Sequence, residues 1–264
     1  MDKIETLIYK MLLKSSFKLK KMQLNKKIYN KSPKDLVTDA DFQSQKIIIG
    51  MIKQNFSDHK IYSEETEHED KDLNAKNCWI VDPLDGTNNY AYGLDLWGIS
   101  IAYAKNSIVQ YGGISFPALN TILLAKINSG SYKINFDKNG KILKKIRLHV
   151  SSRELKNSMV LACYGQGENL SKTFEKLKKL HENVFHVRHL GAAVYELGYV
   201  ATAAADAAVL FKVKPYDIAA GALIIQEAGG KITKLDGTNY SLDAKAIIAS
   251  NKKIHSKLVK LLNF

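Results

Sequence analysis

Cysteine is scarce in this chain. Cys78 and Cys163 stand far apart, and neither belongs to a C-x-x-C pair. No zinc or dithiol motif is therefore present. Cys78 sits in an apolar run and Cys163 ends another (MVLAC), so both are expected to be small core residues. Long apolar runs are missing too: none reaches the ~18 residues that span a bilayer. The opening MDKIETLIYKMLLKSSFKLKK interrupts its apolar residues with Lys and Glu. It lacks the continuous apolar core and small-residue cleavage site of a signal peptide, and reads as an amphipathic helix. A cytoplasmic protein with no membrane partner is expected. There is no internal repeat and no low-complexity linker.

Negative charge is in the minority: 26 Asp and Glu face 39 Lys and Arg, a formal net charge of +13. The lysines are spread along the chain, and the densest run, Lys138 to Arg147, is broken by Gly and Ile. A solvated basic surface that draws anionic substrates inward fits this pattern. The 264 residues, 45% hydrophobic and 25% charged, suit one large α/β domain or two closely fused subdomains with a sizeable core.

Periodicity places helices at 2–29 and 39–56, the second with Asp39 as candidate N-cap and Phe42, Ile48, Ile49 and Ile52 on its apolar face. Short strands follow at 61–63 and 78–81. Further strands lie at 97–104, 107–115, 121–127, 130–136 and 142–148, with a bulge expected at Gly112-Gly113 and an Asn-Gly turn before the last. The pattern then changes. Strands at 158–163, 184–187, 207–211 and 246–249 alternate with helices at 169–181, 192–205, 217–228 and 252–262, and Gly229-Gly230 closes the third of these helices. Helices plus an antiparallel sheet in residues 1–150, and alternating β and α in 151–264, predict two subdomains that share a wide interface.

The most informative stretch is Trp79-Ile-Val-Asp82-Pro83-Leu84-Asp85-Gly86-Thr87. A buried strand delivers Asp82 to its C-terminal end. Pro83 restricts the backbone there, Gly86 permits an unusual backbone angle, and Thr87 offers a hydroxyl. A bare D-x-x-D would read as a capped turn; the complete string is far more specific. Three further acidic segments accompany it: Lys34-Asp35-Leu36-Val37-Thr38-Asp39-Ala40-Asp41, Ser63-Glu64-Glu65-Thr66 and Lys214-Pro215-Tyr216-Asp217-Ile218-Ala219-Ala220-Gly221. Asp217 alone would pass as a helix-capping residue.

In this order and spacing the four segments resemble the inositol monophosphatase family over about residues 31–230. The family also contains phosphatases acting on fructose 1,6-bisphosphate, 3′-phosphoadenosine 5′-phosphate and NADP. The resemblance implies an αβαβα sandwich of the inositol monophosphatase / fructose-1,6-bisphosphatase type, two to three Mg²⁺ ions and a homodimer. Glu64, Asp82, the Leu84 carbonyl, Asp85 and Asp217 match the family's metal ligands. Asp41 matches the residue that orients the motif threonine, here Thr87, and Glu64 assists it in activating water. Gly86, Thr87, Asp217 and the Gly191-Ala192-Ala193 segment match the substrate-binding residues, with Tyr216 standing where the family has Trp.

Elementary chemistry agrees. Like charges 4 Å apart repel by about 1 kcal/mol in water and about 4 kcal/mol at an effective dielectric of 20, so converging carboxylates need cations. Oxygen-only ligands favour Mg²⁺ over Zn²⁺. Two such ions can clamp a phosphate monoester, activate a water and stabilise the leaving alkoxide.

Inositol-specific members place a Glu seven residues before the motif Asp; here that position is Leu210. Lys212 and Lys214 approach the site and favour a substrate with extra negative charge. The expected function is hydrolysis of inositol monophosphate or a related small phosphorylated metabolite. NADP(H), fructose 1,6-bisphosphate and 3′-phosphoadenosine 5′-phosphate are alternative substrates, and RNA or transcription-complex binding by the basic surface is a remote alternative. Glu65 is read equally as an outer-sphere contact or a solvated residue. His186, Arg188 and His189 are read as surface or packing residues.

Overall fold

The computed structural model describes residues 1–32, 35–66, 69–164 and 170–263. Lys34 of the first acidic segment and Asn169, the expected start of a helix, lie outside them. In chain order the elements are α1 (Lys3–Met22), β1 (Ile28–Ser32), β2 (Asp35–Thr38), α2 (Asp39–Asn55), β3 (Lys60–Ser63), β4 (Asn77–Asp85), α3 (Thr87–Tyr92), β5 (Gly98–Lys105), β6 (Ile108–Phe116), β7 (Thr121–Lys126), β8 (Gly130–Phe136), β9 (Ile142–Arg147), β10 (Met159–Cys163), α4 (Leu170–Asn183), β11 (His186–Arg188), α5 (Ala193–Ala201), β12 (Ala207–Phe211), α6 (Pro215–Glu227), β13 (Lys231–Lys234), β14 (Ala246–Ser250) and α7 (Lys252–Leu262).

Strands β3 to β9 form a seven-stranded sheet in sequence order, and a five-stranded sheet runs β11-β10-β12-β14-β13. Only β3 and β4 are parallel in the first; β10 is parallel to both neighbours in the second. Side chains alternate across each sheet, which sorts them into three apolar layers. Trp79 and Val81 of β4 pack with α1 and α2, whereas Cys78 and Ile80 face α5 and α6. Leu161 and Leu210 reach the same middle layer from the second sheet, while Val160 and Val209 face α4 and α7. The order is therefore helices, sheet, helices, sheet, helices: the expected αβαβα sandwich.

Several local expectations shift. The first helix stops at Met22, and the chain forms the β1–β2 hairpin instead of continuing to residue 29. Asp39 does not cap α2. Thr38 does, accepting from the Ala40 N–H, while the Asp39 carboxylate accepts from the Lys27 N–H and anchors the hairpin. Phe42 is exposed, so only Ile48 and Ile52 of the expected apolar face are fully buried. Gly112 and Gly113 pair regularly with β5; the irregularity falls nearer the hairpin end, after Tyr103. What the two glycines provide is closeness: a Cβ on Gly112 would stand 2.8 Å from the Ala220 carbonyl oxygen, and one on Gly113 2.5 Å from Ile8. The Ala-rich helix is shorter than expected, ending at Ala201, and the strand β13 was not anticipated by periodicity. Cys78 is fully buried as expected, but Cys163 is only partly so.

Candidate active site

Asp82 and Asp85 are three positions apart on β4. On a regular strand that spacing puts side chains on opposite faces. Here Asp82 pairs with Ser100 and Asp85 with Gly98, so three steps along β4 match two along β5. The extra residue is a bulge, and it re-phases the strand so that both carboxylates reach one cavity. Pro83, which has no N–H to contribute to the ladder, sits within it. Gly86 follows at φ +82°, a backbone angle that favours glycine, with the Leu96 carbonyl oxygen and the Ala192 methyl too close for a side chain.

The cavity, of about 160 Å³, is lined by Glu64, Asp82, Leu84, Asp85, Gly86, Thr87, Asn88, Gly191 and Asp217. Larger hollows beside Tyr240 share none of these residues. Glu64 follows β3, and its N–H bonds the Val81 carbonyl, which holds it beside β4. Asp217 lies in the first turn of α6, whose start is tied to β5 by a hydrogen bond from Ser100 Oγ to the Tyr216 carbonyl, 2.9 Å. Tyr216, where the family has Trp, packs its ring 6.2 Å from that of Tyr62.

Backbone N–H groups aim the carboxylates. Leu84 N–H donates to Asp82 Oδ1 at 2.9 Å, Val194 N–H to Asp85 Oδ2 at 2.5 Å, and Lys214 N–H to Asp217 Oδ2 at 2.6 Å. Thr87 Oγ1 lies 3.0 Å from Asp41 Oδ1 and 2.9 Å from the Leu84 carbonyl oxygen. Asp41 Oδ2 in turn accepts from the Thr38 hydroxyl and N–H, so the buried carboxylate is held at both ends. Helices α5 and α6 both begin beside the cavity, and helix N-termini favour anions.

Burial and mutual repulsion make these acids reluctant to ionise. Burial pushes Asp217 up to about 7, with the Asp85 charge adding. Asp85 is likewise pushed up to about 7, mainly by burial, with Glu196 and Glu64 opposing its charge and the Val194 N–H favouring it. Glu64 rises to about 7 by burial despite the opposing pull of Lys31. Asp82 is pushed well above the usual carboxylate range by burial and by the charges of Glu64, Asp85 and Asp217. Asp41 rises to about 6, burial outweighing its hydrogen bonds. An oxygen-only pocket that is this short of positive charge fits divalent cations.

All four acidic segments thus meet. Ala192 and Ala193 do not line the cavity: both are buried, Ala192 against Gly86. Lys212, Lys214, His186, Arg188 and His189 are also absent from its lining. Leu210 is fully buried within β12. Four further contributors escape sequence reading. Asn88 lines the cavity. Asn89 Nδ2 bridges the Leu96 and Leu190 carbonyls and fixes the loop that holds Gly191. Val194 supplies its N–H. Lys31 lies 3.3 Å from Glu64 and 2.7 Å from Glu65, a cation already standing at the mouth of the acidic cluster.

The sequence model of the inositol monophosphatase family matches residues 5–264. The chain belongs to the inositol monophosphatase family. It is 35% identical to the fructose-1,6-bisphosphatase/inositol-1-monophosphatase of Thermotoga maritima over 231 residues, covering 87% of this chain and 83% of that protein. A putative Nus factor SuhB of Neisseria meningitidis serogroup B is 31% identical over 256 residues, 96% of this chain and 92% of the relative. Among solved structures, the Thermotoga maritima IMPase superposes with a TM-score of 0.86 at 32% identity, covering 100% of this chain and 97% of that one. This inositol monophosphatase family member is a phosphatase, and its αβαβα layers are those of the family.

Proposed function

We propose that the protein is a Mg²⁺-dependent phosphomonoesterase with a relaxed substrate range that includes inositol monophosphate and more highly charged phosphorylated metabolites. One observation carries the reading: four carboxylates from three separate segments converge on a small polar cavity with a hydrogen-bonded Thr–Asp pair at its side.

Glu64, Asp82, the Leu84 carbonyl, Asp85 and Asp217 would hold the ions. When bound, Mg²⁺ neutralises the carboxylates, polarises the phosphate and lowers the pKa of a water. Thr87 positions that water and passes its proton toward Asp41, with Glu64 assisting. Gly86 leaves room for the phosphate, and Gly191 borders the substrate, with Ala192 and Ala193 supporting it from behind. The Lys31 ammonium would compete with any ion held by Glu64. We also read the assembly as a homodimer in the cytoplasm and residues 1–150 and 151–264 as its two subdomains, from the family resemblance and the sequence pattern.

The substrate range follows from Leu210. A buried leucine offers no hydrogen bond to an inositol hydroxyl, so discrimination for inositol is weaker. A panel of inositol 1-phosphate, NADP, fructose 1,6-bisphosphate and 3′-phosphoadenosine 5′-phosphate, assayed for released phosphate across Mg²⁺ concentrations, tests this. Turnover of at least one of the last three at a rate comparable to inositol 1-phosphate is expected. Strict selectivity for inositol 1-phosphate would reject the relaxed range. RNA binding that survives Asp85→Asn, with no Mg²⁺-dependent phosphate release from any substrate, would reject the enzyme reading.

A further inference from the structure

Behind the acidic cavity, three chemically different donors come together from separate segments. Cys163 ends β10, His189 follows β11, and Glu196 lies within α5; one donor atom from each falls within 4.8 Å of the others. We propose that Cys163, His189 and Glu196 form a second metal site, selective for a thiophilic divalent transition-metal cation of the Zn²⁺ class and sharing no ligand with the Mg²⁺ cavity.

Three observations support it. The first is the ligand set. Thiolate, imidazole and carboxylate together suit Zn²⁺, whereas Mg²⁺ prefers oxygen alone. Three protein ligands leave a fourth position for water or another small ligand.

The second is a poorly met acceptor. Glu196 is 0% exposed, and its Oε1 accepts from the Leu190 N–H at 3.2 Å. Its Oε2 is buried, and the side-chain partner of the carboxyl is the weakly donating Cys163 thiol. A buried carboxylate oxygen left in that state is costly, and a cation bound beside it removes the cost.

The third is preparation and access. The His189 ring is already oriented, with Nδ1 2.7 Å from the Ala162 carbonyl oxygen and the ring stacked 4.6 Å from that of Tyr164. A carbonyl partner of this kind commonly fixes a metal-binding imidazole. With Nδ1 given to that carbonyl, Nε2 is the nitrogen left for a metal, and the His189 side chain, 42% exposed, opens the cluster to solvent. On binding, the Cys163 thiol would give up its proton to water, and the sulfur would take its place in the coordination shell. The site adjoins the phosphatase cavity: Glu196 holds the Leu190 N–H, next to the cavity-lining Gly191, and its charge is felt by Asp85.

The test uses the full chain with excess Mg²⁺ present and Co²⁺ as the spectroscopic probe. A thiolate-to-Co²⁺ charge-transfer band in the near ultraviolet, saturating at one equivalent and displaced by Zn²⁺, is expected. Cys163→Ser should abolish the band, and His189→Ala, which alters a half-exposed side chain, should weaken Co²⁺ binding at least about tenfold. Cys78→Ser and Asp82→Asn should both retain it, Asp82→Asn separating this site from the phosphatase reading. Circular dichroism confirms that each variant is folded. Absence of the band in the wild-type chain, its survival in Cys163→Ser, unchanged affinity in His189→Ala, or its loss in folded Asp82→Asn overturns the proposal.

Discussion

The hydroxyl of Thr87 stands 3.0 Å from one carboxylate oxygen of Asp41, and the other oxygen of that carboxylate caps helix α2 through Thr38. A single hydroxyl proton cannot serve both Asp41 and the Leu84 carbonyl at once, so Thr87 has two competing acceptors. Removing the hydroxyl by Thr87→Ala should lower kcat by about 10²- to 10⁴-fold, the scale of general acid–base assistance. Thr87→Ser should recover much of it. Asp41→Asn should lose activity and also about 1 kcal/mol of stability, because it disturbs the cap as well. Steady-state kinetics and thermal melts of the three variants separate the two effects.

Asp82→Asn removes the most deeply buried of the carboxylates proposed to hold the ions. Turnover should fall at least about 100-fold, beyond what the loss of an outer-sphere partner costs. The metal-free variant should melt no lower than wild type at pH 8, since a buried repelling charge has gone. Near-normal turnover at saturating Mg²⁺ would reject the assignment.

The raised pKa values of Glu64, Asp85 and Asp217, each about 7, fix the pH dependence of the metal-free protein. In the unfolded chain these acids titrate near 4, so between pH 4 and 7 the folded state binds more protons. Stability from these groups is therefore complete below about pH 4 and is lost as pH rises through about 7. The melting temperature in chelator should fall between pH 5.5 and 8. Mg²⁺ should reverse that slope, and its affinity should weaken below pH 7 as protons compete. A chelated protein that melts higher at pH 8 than at pH 5.5 would contradict the titration of these acids.

Lys31 competes with any cation for Glu64. Lys31→Met should lower the Mg²⁺ concentration needed for half-maximal activity by up to about fivefold, matching the ~1 kcal/mol of a partly exposed ion pair. An increase in that concentration would mean that the ammonium helps to assemble the site.

Gly86→Ala forces a methyl group between the Leu96 carbonyl and Ala192 at a left-handed backbone angle. A loss of about 1–3 kcal/mol in stability is expected, with collapse of the cavity wall and of activity. Denaturant titration and phosphate release measure both.

What the sequence reveals depends on how local the information is. The Asp82–Thr87 string is legible because strand, proline, acids and glycine are contiguous. The layers follow from alternation such as Cys78/Ile80 against Trp79/Val81. The β1–β2 hairpin is not legible: Lys26, Lys27 and Lys31 continue a basic amphipathic pattern, and its anchor is a side chain, Asp39, that looks like a helix cap. Lys31 meets Glu64 across a distance in sequence that no spacing rule covers. Glu196 is hidden in an Ala-rich helix, where its burial and its neighbours Cys163 and His189 are set by the packing of three separate elements.

The one-residue surplus between Asp82 and Asp85 makes the count of residues there as important as their kind. Elsewhere in this sheet, slipping the pairing by one position would exchange apolar side chains between two apolar layers. At Pro83-Leu84, shortening the chain by one residue would restore regular pairing with β5 and turn Asp85 away from its three acidic companions. A chain altered in that way would keep every ligand type in its sequence and still be unable to assemble the cluster.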